Sequence, residues 1–371
     1  MKQRFLIIIL LIFSAHCIYG QTKKVVRQKK TPVVTKQVKK HQGTSRRWIS
    51  LSHVHEGLVR AYNYNYKYGF VDKTGKTVIP FKWDYAGYFH EGLAQVRDYG
   101  FIDKTGKLVI PCNWRLADDF HEGLALVKDK SNKWGFIDKT GKIIVPCIWG
   151  NQRYESDNCL GKCRMSEGYA VVLPDENGQY GYIDKTGKIV IPCQWRNAEP
   201  FSEGMAAVQG PGIKKGYLHY GYIDKTGKVV IPCKYTNANS FKEGLAHVVD
   251  SNGKSGFIDK TGKVVIPAGQ WRSVESFSEG LAAVRDESGK WGFIDKTGKL
   301  VIPCQWWNVN SFSDGLAVVT DFNYKSGYID KTGKVVIPCK YTNANSFKEG
   351  FGLVGMGDVD IIINKKGERV L

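Results

Sequence analysis

Six of the nine cysteines stand directly after a proline: Cys112, Cys147, Cys193, Cys233, Cys304 and Cys339. A thiol repeated in one setting invites thoughts of redox or metal chemistry. Phe81 and Ala268 fill the same place in two further copies, however, so the position asks for an apolar filler, a role that free Cys performs. Copies one multi-strand unit apart also exceed the ~7 Å reach of a disulfide. Six buried free thiols are expected. Cys159 and Cys163 differ, because they lie in an insertion, 150–165, without equivalents elsewhere. In an oxidising compartment they read as a local disulfide; the alternative, a metal pair, lacks nearby ligands in the sequence. His55, His90 and His121 precede Glu-Gly in the first three copies, where Ser or Lys stands in most others. Neither a His-Glu-x-x-His zinc motif nor a Gly-x-Ser-x-Gly nucleophile elbow occurs, so these read as solvated turn residues.

Two recurrent stretches imitate phosphate chemistry and fail on detail. Asp-Lys-Thr-Gly occurs eight times, beginning at Asp72, Asp103, Asp138, Asp184, Asp224, Asp259, Asp295 and Asp330. It opens the phosphorylated-aspartate motif of ion pumps, which needs a further Thr and many membrane helices; Lys follows here, and eight identical catalytic aspartates have no use. Gly69-Phe-Val-Asp-Lys-Thr-Gly75-Lys76-Thr77 looks like a phosphate-cradling loop, but five residues rather than four separate its glycines and a strand follows.

What these residues share is the element that carries them. Gly327-Tyr-Ile-Asp-Lys-Thr-Gly-Lys-Val-Val-Ile-Pro338 reads as a β-hairpin, with β-branched or aromatic runs on either side of Asp330-Lys-Thr-Gly333. Asp suits the first place of a type I turn and Gly the left-handed place after it. Pro338 cannot donate to a ladder and marks a strand end or an edge. The leading glycines, Gly69, Gly100, Gly135, Gly181, Gly221, Gly256, Gly292 and Gly327, lie 31, 35, 46, 40, 35, 36 and 35 residues apart. Between hairpins recurs Phe-x-Glu-Gly-Leu-Ala-x-Val, as at Phe241–Val248, whose end reads as a third short strand. Tyr222–Gly244 and Tyr328–Gly350 are identical over 23 positions, the mark of a unit duplicated to stack on its own copies. From Trp48 there are eight such units and a ninth, worn one ending at Ile361-Ile-Ile-Asn-Lys-Lys-Gly367, which reads as a cap.

Trp134-Gly135-Phe136-Ile137-Asp138 and Trp291-Gly292-Phe293-Ile294-Asp295 carry a Trp-Gly signature, and over residues 48–371 the chain resembles the bacterial WG-repeat (KWG-type) family. Tyr68, Tyr99, Tyr180, Tyr220, Ser255 and Ser326 replace the Trp elsewhere. The resemblance implies β-rich repeats in secreted or surface proteins of unassigned role. A looser likeness, to cell-wall-binding hairpin repeats, implies a solenoid. The expected fold is all-β: about nine three-stranded units in an open or superhelical, solenoid-like stack. The alternative is a β-propeller, disfavoured because rings usually close with four to eight blades.

The ends are read from composition. Lys2 and Arg4 precede an apolar run from Phe5 to Phe13, too short to span a bilayer, and Gly20 offers a cleavage point. Residues 1–20 are expected to be a signal peptide, giving a secreted, periplasmic or cell-surface protein that does not span the membrane after cleavage. The alternative lipoprotein signal ending at Cys17 is poorly served by His16. Residues 21–47 hold ten basic side chains and no acid, a disordered tether that either grips an anionic surface or merely solvates; nucleic acid is the weakest partner. Of the net +19, the part after residue 47 keeps about +7, from 42 basic and 35 acidic residues.

Two files remain. Phe89, Phe120, Phe201, Phe241, Phe277, Phe312 and Phe347, with Met165 in the remaining unit, form the expected core. Trp83, Trp114, Trp149, Trp195, Tyr235, Trp271, Trp306 and Tyr341 either fill between strands or, if exposed, form a ladder for sugar rings or peptide. Paired lysines at each hairpin tip suggest a polyanion comb or, equally simply, a guard against edge pairing. Catalysis needs one asymmetric constellation, and polar groups here recur down the stack. The expectation is a non-enzymatic binding scaffold without cofactor or metal, its partners proteins, the alternative being carbohydrate or cell-wall polymer on the aromatic ladder.

Overall fold

The computed structural model describes residues 48–149, 162–172, 179–211, 218–357 and 359–371, so the signal, the tether and Cys159 lie outside the described residues. Nine antiparallel sheets follow one another over residues 50–83, 86–110, 116–149, 169–195, 197–235, 237–266, 273–306, 308–341 and 343–364. Seven have four strands in simple sequence order, and the fourth and ninth show three. Each is a blade. In blade 6 the strands are Asn237–Ala238, Leu245–Val249, Ser255–Asp259 and Val264–Ile266. The unit therefore has one strand more than the sequence suggests: a short first strand lies between the Trp/Tyr position and the Phe.

Local chemistry sets both turns at one end of each blade. Between third and fourth strands, Asp224 Oδ1 accepts from Thr226 N (2.9 Å), Thr226 Oγ1 (2.6 Å) and Lys228 N (3.1 Å), while Gly227 N donates to Asp224 O (2.9 Å). The same net forms in all eight copies, and Asn364 rebuilds most of it in the ninth. These aspartates are structural. Between first and second strands, Glu and Gly both take positive φ, 49–55° and 81–89°, the signature of a two-residue type I′ turn.

The glycine of the Trp-Gly pair has a different cause. The fourth strand bulges at Pro-Cys, so its backbone crowds the third. A Cβ on Gly135 would fall 2.5 Å from Val145 O and 2.8 Å from Cys147 N. Only glycine fits there.

Blades pack face to face. The third-strand aromatic of one meets the repeated Phe of the next, which lies in or just after its first strand, with ring centroids 4.8–5.0 Å apart, from Phe70–Phe89 to Tyr328–Phe347. The Phe file and Met165 are buried throughout.

The open stack is not what forms. Blade 9 packs on blade 1: Ile362 joins Val54, Val59 and Val71 in one apolar cluster, flanked by Phe351, Leu353 and Leu371. The Cβ direction of Gly75 points at Leu371 Cδ2, where other hairpin glycines meet an Ile or Val of the preceding blade. The worn last unit is thus no cap on an open end. Its final residues hydrogen-bond back to Ile362, and its contact with blade 1 closes a nine-bladed ring. Successive units lie side by side about a common axis, and nine of them complete the turn.

Candidate functional site

The most regular polar system is a belt of carboxylates. Glu203, held at φ 53° in its turn, accepts from Gly244 N of the next blade (2.9 Å) and pairs with Lys260 at 3.3 Å. Equivalent ion pairs join Lys104, Lys139, Lys185, Lys225, Lys296 and Lys331 to the Glu of the preceding blade. Asp314 continues the series to Gly350 N, and Glu349 closes it on Glu56 N (2.6 Å) and Gly57 N (2.8 Å). For Glu56, Glu91, Glu122 and Glu203 burial pushes the carboxyl pKa up, but the lysine and backbone donors outweigh it and hold it below the ordinary value. Seven of the tip lysines are therefore committed to joining blades, and the second lysine of each tip is left exposed.

The Trp/Tyr file lies against the apolar layers between blades. Trp195 and Tyr235 are 7% exposed and Tyr341 1%. Trp83, Trp114, Trp149, Trp271 and Trp306 are half-buried, each packed on one of those layers. A ladder of open ring faces is not what these positions present. The Pro-Cys thiols fill the space beside the strand-three glycines, as Cys112, Cys147 and Cys193 do. They are less buried than the sequence suggests: five are intermediate and Cys112 is exposed. Burial, then the charge of a nearby Asp, pushes Cys147 and Cys304 up to about 11. Cys163 is buried beside Met165, while its expected partner Cys159 lies outside the described residues. Among the described residues no group of three or more His, Cys, Asp or Glu is placed to hold a metal ion. No helix among them is long and apolar enough to cross a membrane.

Asymmetry gathers in two places. The first is a cleft of about 580 Å³ in blades 1–3, lined among others by Arg60, Tyr85, Tyr88, Arg97, Tyr99, Asp118 and Asp119. Here the first strands run five or six residues, Ser50–His55, Ala86–His90 and Leu116–His121, rather than the two of blades 5–9. His55, His90 and His121 form a row beside it, with ring centroids 5.4 and 5.8 Å apart. Burial, then Lys348 and the neighbouring imidazoles, lowers His55 to about 4, and burial with Arg164 lowers His121. Tyr88 stacks on His55 at 4.3 Å and receives Arg60 over its ring at 4.3 Å. Repetition hid this site: Arg60 and Gln95 occupy the x of Leu-Ala-x-Val, where blades 5, 7 and 8 carry Ala207, Ala283 and Val318.

The second is an aromatic arc on the opposite end of the blades from the Glu belt, at the turns between second and third strands. Blades 8, 9 and 1 expose Phe322, Tyr324, Met356, Tyr64 and Tyr66 there, with Trp307 beside them. Trp307 meets Phe322 and Tyr324 at 5.9 and 5.2 Å, and Lys290 lies over Phe322. Tyr66 and Tyr324 hold φ of 59° and 58°, where Gly253 and Gly289 serve blades 6 and 7.

Nine antiparallel meanders, seven of them with four strands and two with three, packed face to face in a closed ring, make this a β-propeller with regular blade geometry and two irregular surfaces. A family model described as WG containing repeat matches residues 68–98, 99–134, 134–151, 180–209, 220–254, 256–291, 291–325 and 327–359, and the chain belongs to that family. Among solved structures, one titled as the crystal structure of the eukaryotic initiation factor is similar in fold, with TM-score 0.57 and 13% identity over 84% of this chain and 94% of that one. BamB from Moraxella catarrhalis aligns at TM-score 0.40 and 10% identity, over 85% and 98% of the two chains. The WD40 β-propeller domain of Doa1 aligns at 0.31 and 11%, over 86% and 93%. No curated protein matches the chain.

Proposed function

We propose that this chain is a non-enzymatic, secreted or envelope-associated scaffold that binds partner proteins through the aromatic arc of blades 8, 9 and 1. One observation carries the reading. Tyr66 and Tyr324 stand in a left-handed conformation that costs a non-glycine residue about 1–2 kcal/mol. Both are also more than half exposed, Tyr66 at 69% and Tyr324 at 62%. Glycine would serve the turn better, so exposed rings held at a conformational cost point to use outside the fold. Aromatic clusters with a nearby cation are the usual anchors of protein interfaces. The secretion part rests on the apolar run behind Lys2 and Arg4, and N-terminal sequencing of the mature protein at Gln21 checks it.

The test is site-specific photo-crosslinking in the native envelope and medium, with the photoreactive group at Phe322 and, as control, at Asn252 in the matching turn of blade 6. A discrete protein adduct at Phe322 and none at Asn252 is expected. Equal labelling at both, or at neither, refutes the reading.

A further inference from the structure

The cleft of blades 1–3 is a separate matter from the arc, and its lining has a chemistry of its own. Its charged groups already have partners within the protein, among them Asp118, whose Oδ1 accepts from Asp119 N at 2.9 Å. Arg97 pairs with Asp84 at 3.0 Å and lies 4.0 Å from Asp98; His90 Nε2 lies 3.3 Å from Asp119. Arg60 donates to Ala86 O at 2.8 Å and to Tyr88 Oη at 3.3 Å. Buried Gln95 fixes the floor by donating to Ala117 O at 2.6 Å. Burial, with Asp118 alongside, raises the pKa of Asp119 despite the opposing charges of His90 and Arg164.

A cleft with balanced charges exerts little net pull on an ion, yet it presents planar donors and acceptors in quantity. Two aromatic rings complete it: Tyr85, 45% exposed, and Tyr99, which is held at φ 58° in its turn. Tyr88, by contrast, is already engaged by His55 and Arg60. Flat rings for a ring-shaped apolar face, with carboxylates and guanidinium for vicinal hydroxyls, match one ligand class. We propose that this cleft binds a neutral oligosaccharide, stacked on Tyr85 and Tyr99 and hydrogen-bonded by Asp118, Asp119 and Arg97. A cationic peptide would need carboxylates less fully balanced, and an anionic polymer would meet three aspartates in the lining.

The site differs from the aromatic ladder expected at the sequence level, because neither Tyr85 nor Tyr99 belongs to that file. It is also independent of the arc, so failure of the crosslinking at Phe322 leaves it standing, and its own failure leaves the arc standing.

The experiment is calorimetric titration of the full chain with chitotetraose, cellotetraose and maltotetraose, against tetralysine and tetragalacturonate. The expected result is binding of at least one neutral tetrasaccharide, weakened about tenfold or more by Tyr85→Ala and by Asp118→Asn. Asn237→Ala and Asn239→Ala, at the matching places in blade 6, leave it unchanged. Should either cleft variant melt early, the ring signals of Tyr85 and Tyr99 in the unaltered protein decide, by shifting or not on titration. Preference for tetralysine or tetragalacturonate overturns the proposal. So does a lack of heat and of ring shifts with all three neutral sugars.

Discussion

Replacing Glu349 by Gly tests whether ring closure rests on the Glu belt. Glu349 accepts two backbone N–H groups of blade 1, at 2.6 and 2.8 Å, and both are lost with the side chain. Hydrogen bonds to a charged group are worth about 1.5–3 kcal/mol each, and an exposed turn belongs at the low end, giving about 3 kcal/mol for the pair. Against this, Gly at a φ of 52° recovers about 1 kcal/mol of left-handed strain. The net loss of about 2 kcal/mol corresponds to roughly 30-fold more frequent opening. This junction differs from the rest in having no peptide link. At most other junctions a short link, such as Arg196 or Thr236, ties the fourth strand of one blade to the first of the next and keeps them at high effective concentration. Hydrogen exchange is the assay. Amides in Ser50–Tyr62 and Phe351–Asn364 should exchange about 30-fold faster in Glu349→Gly. Glu243→Gly, which loses its bond to Gly280 and its pair with Lys296, should show a much smaller change at its own junction. Equal acceleration at the two junctions, or none at the seam, would refute the closure argument.

Three further outcomes follow from the geometry. Gly135→Ala meets the backbone of the bulged fourth strand and should cost roughly 2–4 kcal/mol by denaturant melting, whereas Gly204→Ala, with open space but a φ of 81°, should cost about 1; similar losses would mean the bulge yields. At about pH 8, Cys112, which is exposed, should react with a maleimide well before Cys147 and Cys304, whose thiols are pushed up to about 11; mass mapping that shows Cys147 labelled first contradicts this. The third concerns acid. His55 is lowered to about 4, so the unfolded chain takes up a proton that the fold resists, and stability falls as pH drops from about 6.5 to about 4. The full shift would be worth about 3 kcal/mol, and partial solvent exposure reduces it to roughly 1–2. Denaturation midpoints across that range should flatten in His55→Asn, and an unchanged slope would show that His55 is not responsible. Glu56, Glu91, Glu122 and Glu203, whose carboxyls are depressed, contribute stability that is fully present above the ordinary carboxylate pKa and is lost as pH falls through the lowered one.

What could be read in the sequence was whatever one unit decides for itself. The Asp-Lys-Thr-Gly hairpin closes through bonds among Asp224, Thr226 and Lys228, so its residues announce it. The Phe core was equally visible, since a file without a polar handle has nowhere better to go. Properties that belong to pairs of units were hidden. The two-residue first strand, Asn237–Ala238, exists only because the second strand of its own blade and the third of the preceding one hold it, and no run of β-branched residues marks it. Closure was hidden for a related reason: Glu349 uses at the seam the same Glu-Gly motif found at nearly every other junction, with Asp314 in its place at one, so no special residue signals a ring.

The Glu of that motif is also the least expected choice for its turn, because Asn would sit in the left-handed region more easily. Its length suits the junction: the side chain leaves one turn and reaches both the next blade's Gly N–H and its Lys at about 3 Å, while the shorter Asp314 still reaches Gly350 N. Functional residues follow the reverse rule. In this chain whatever packs blade on blade recurs, and the residues proposed to meet a partner depart from the consensus. Arg60 and Gln95 stand where most blades carry a small or apolar residue, and Tyr66 and Tyr324 where others have Gly, so each forgoes an easier residue at its position. Aligning the nine units against one another, and asking which substitutions make the fold worse, locates both the cleft and the arc without reference to any other protein.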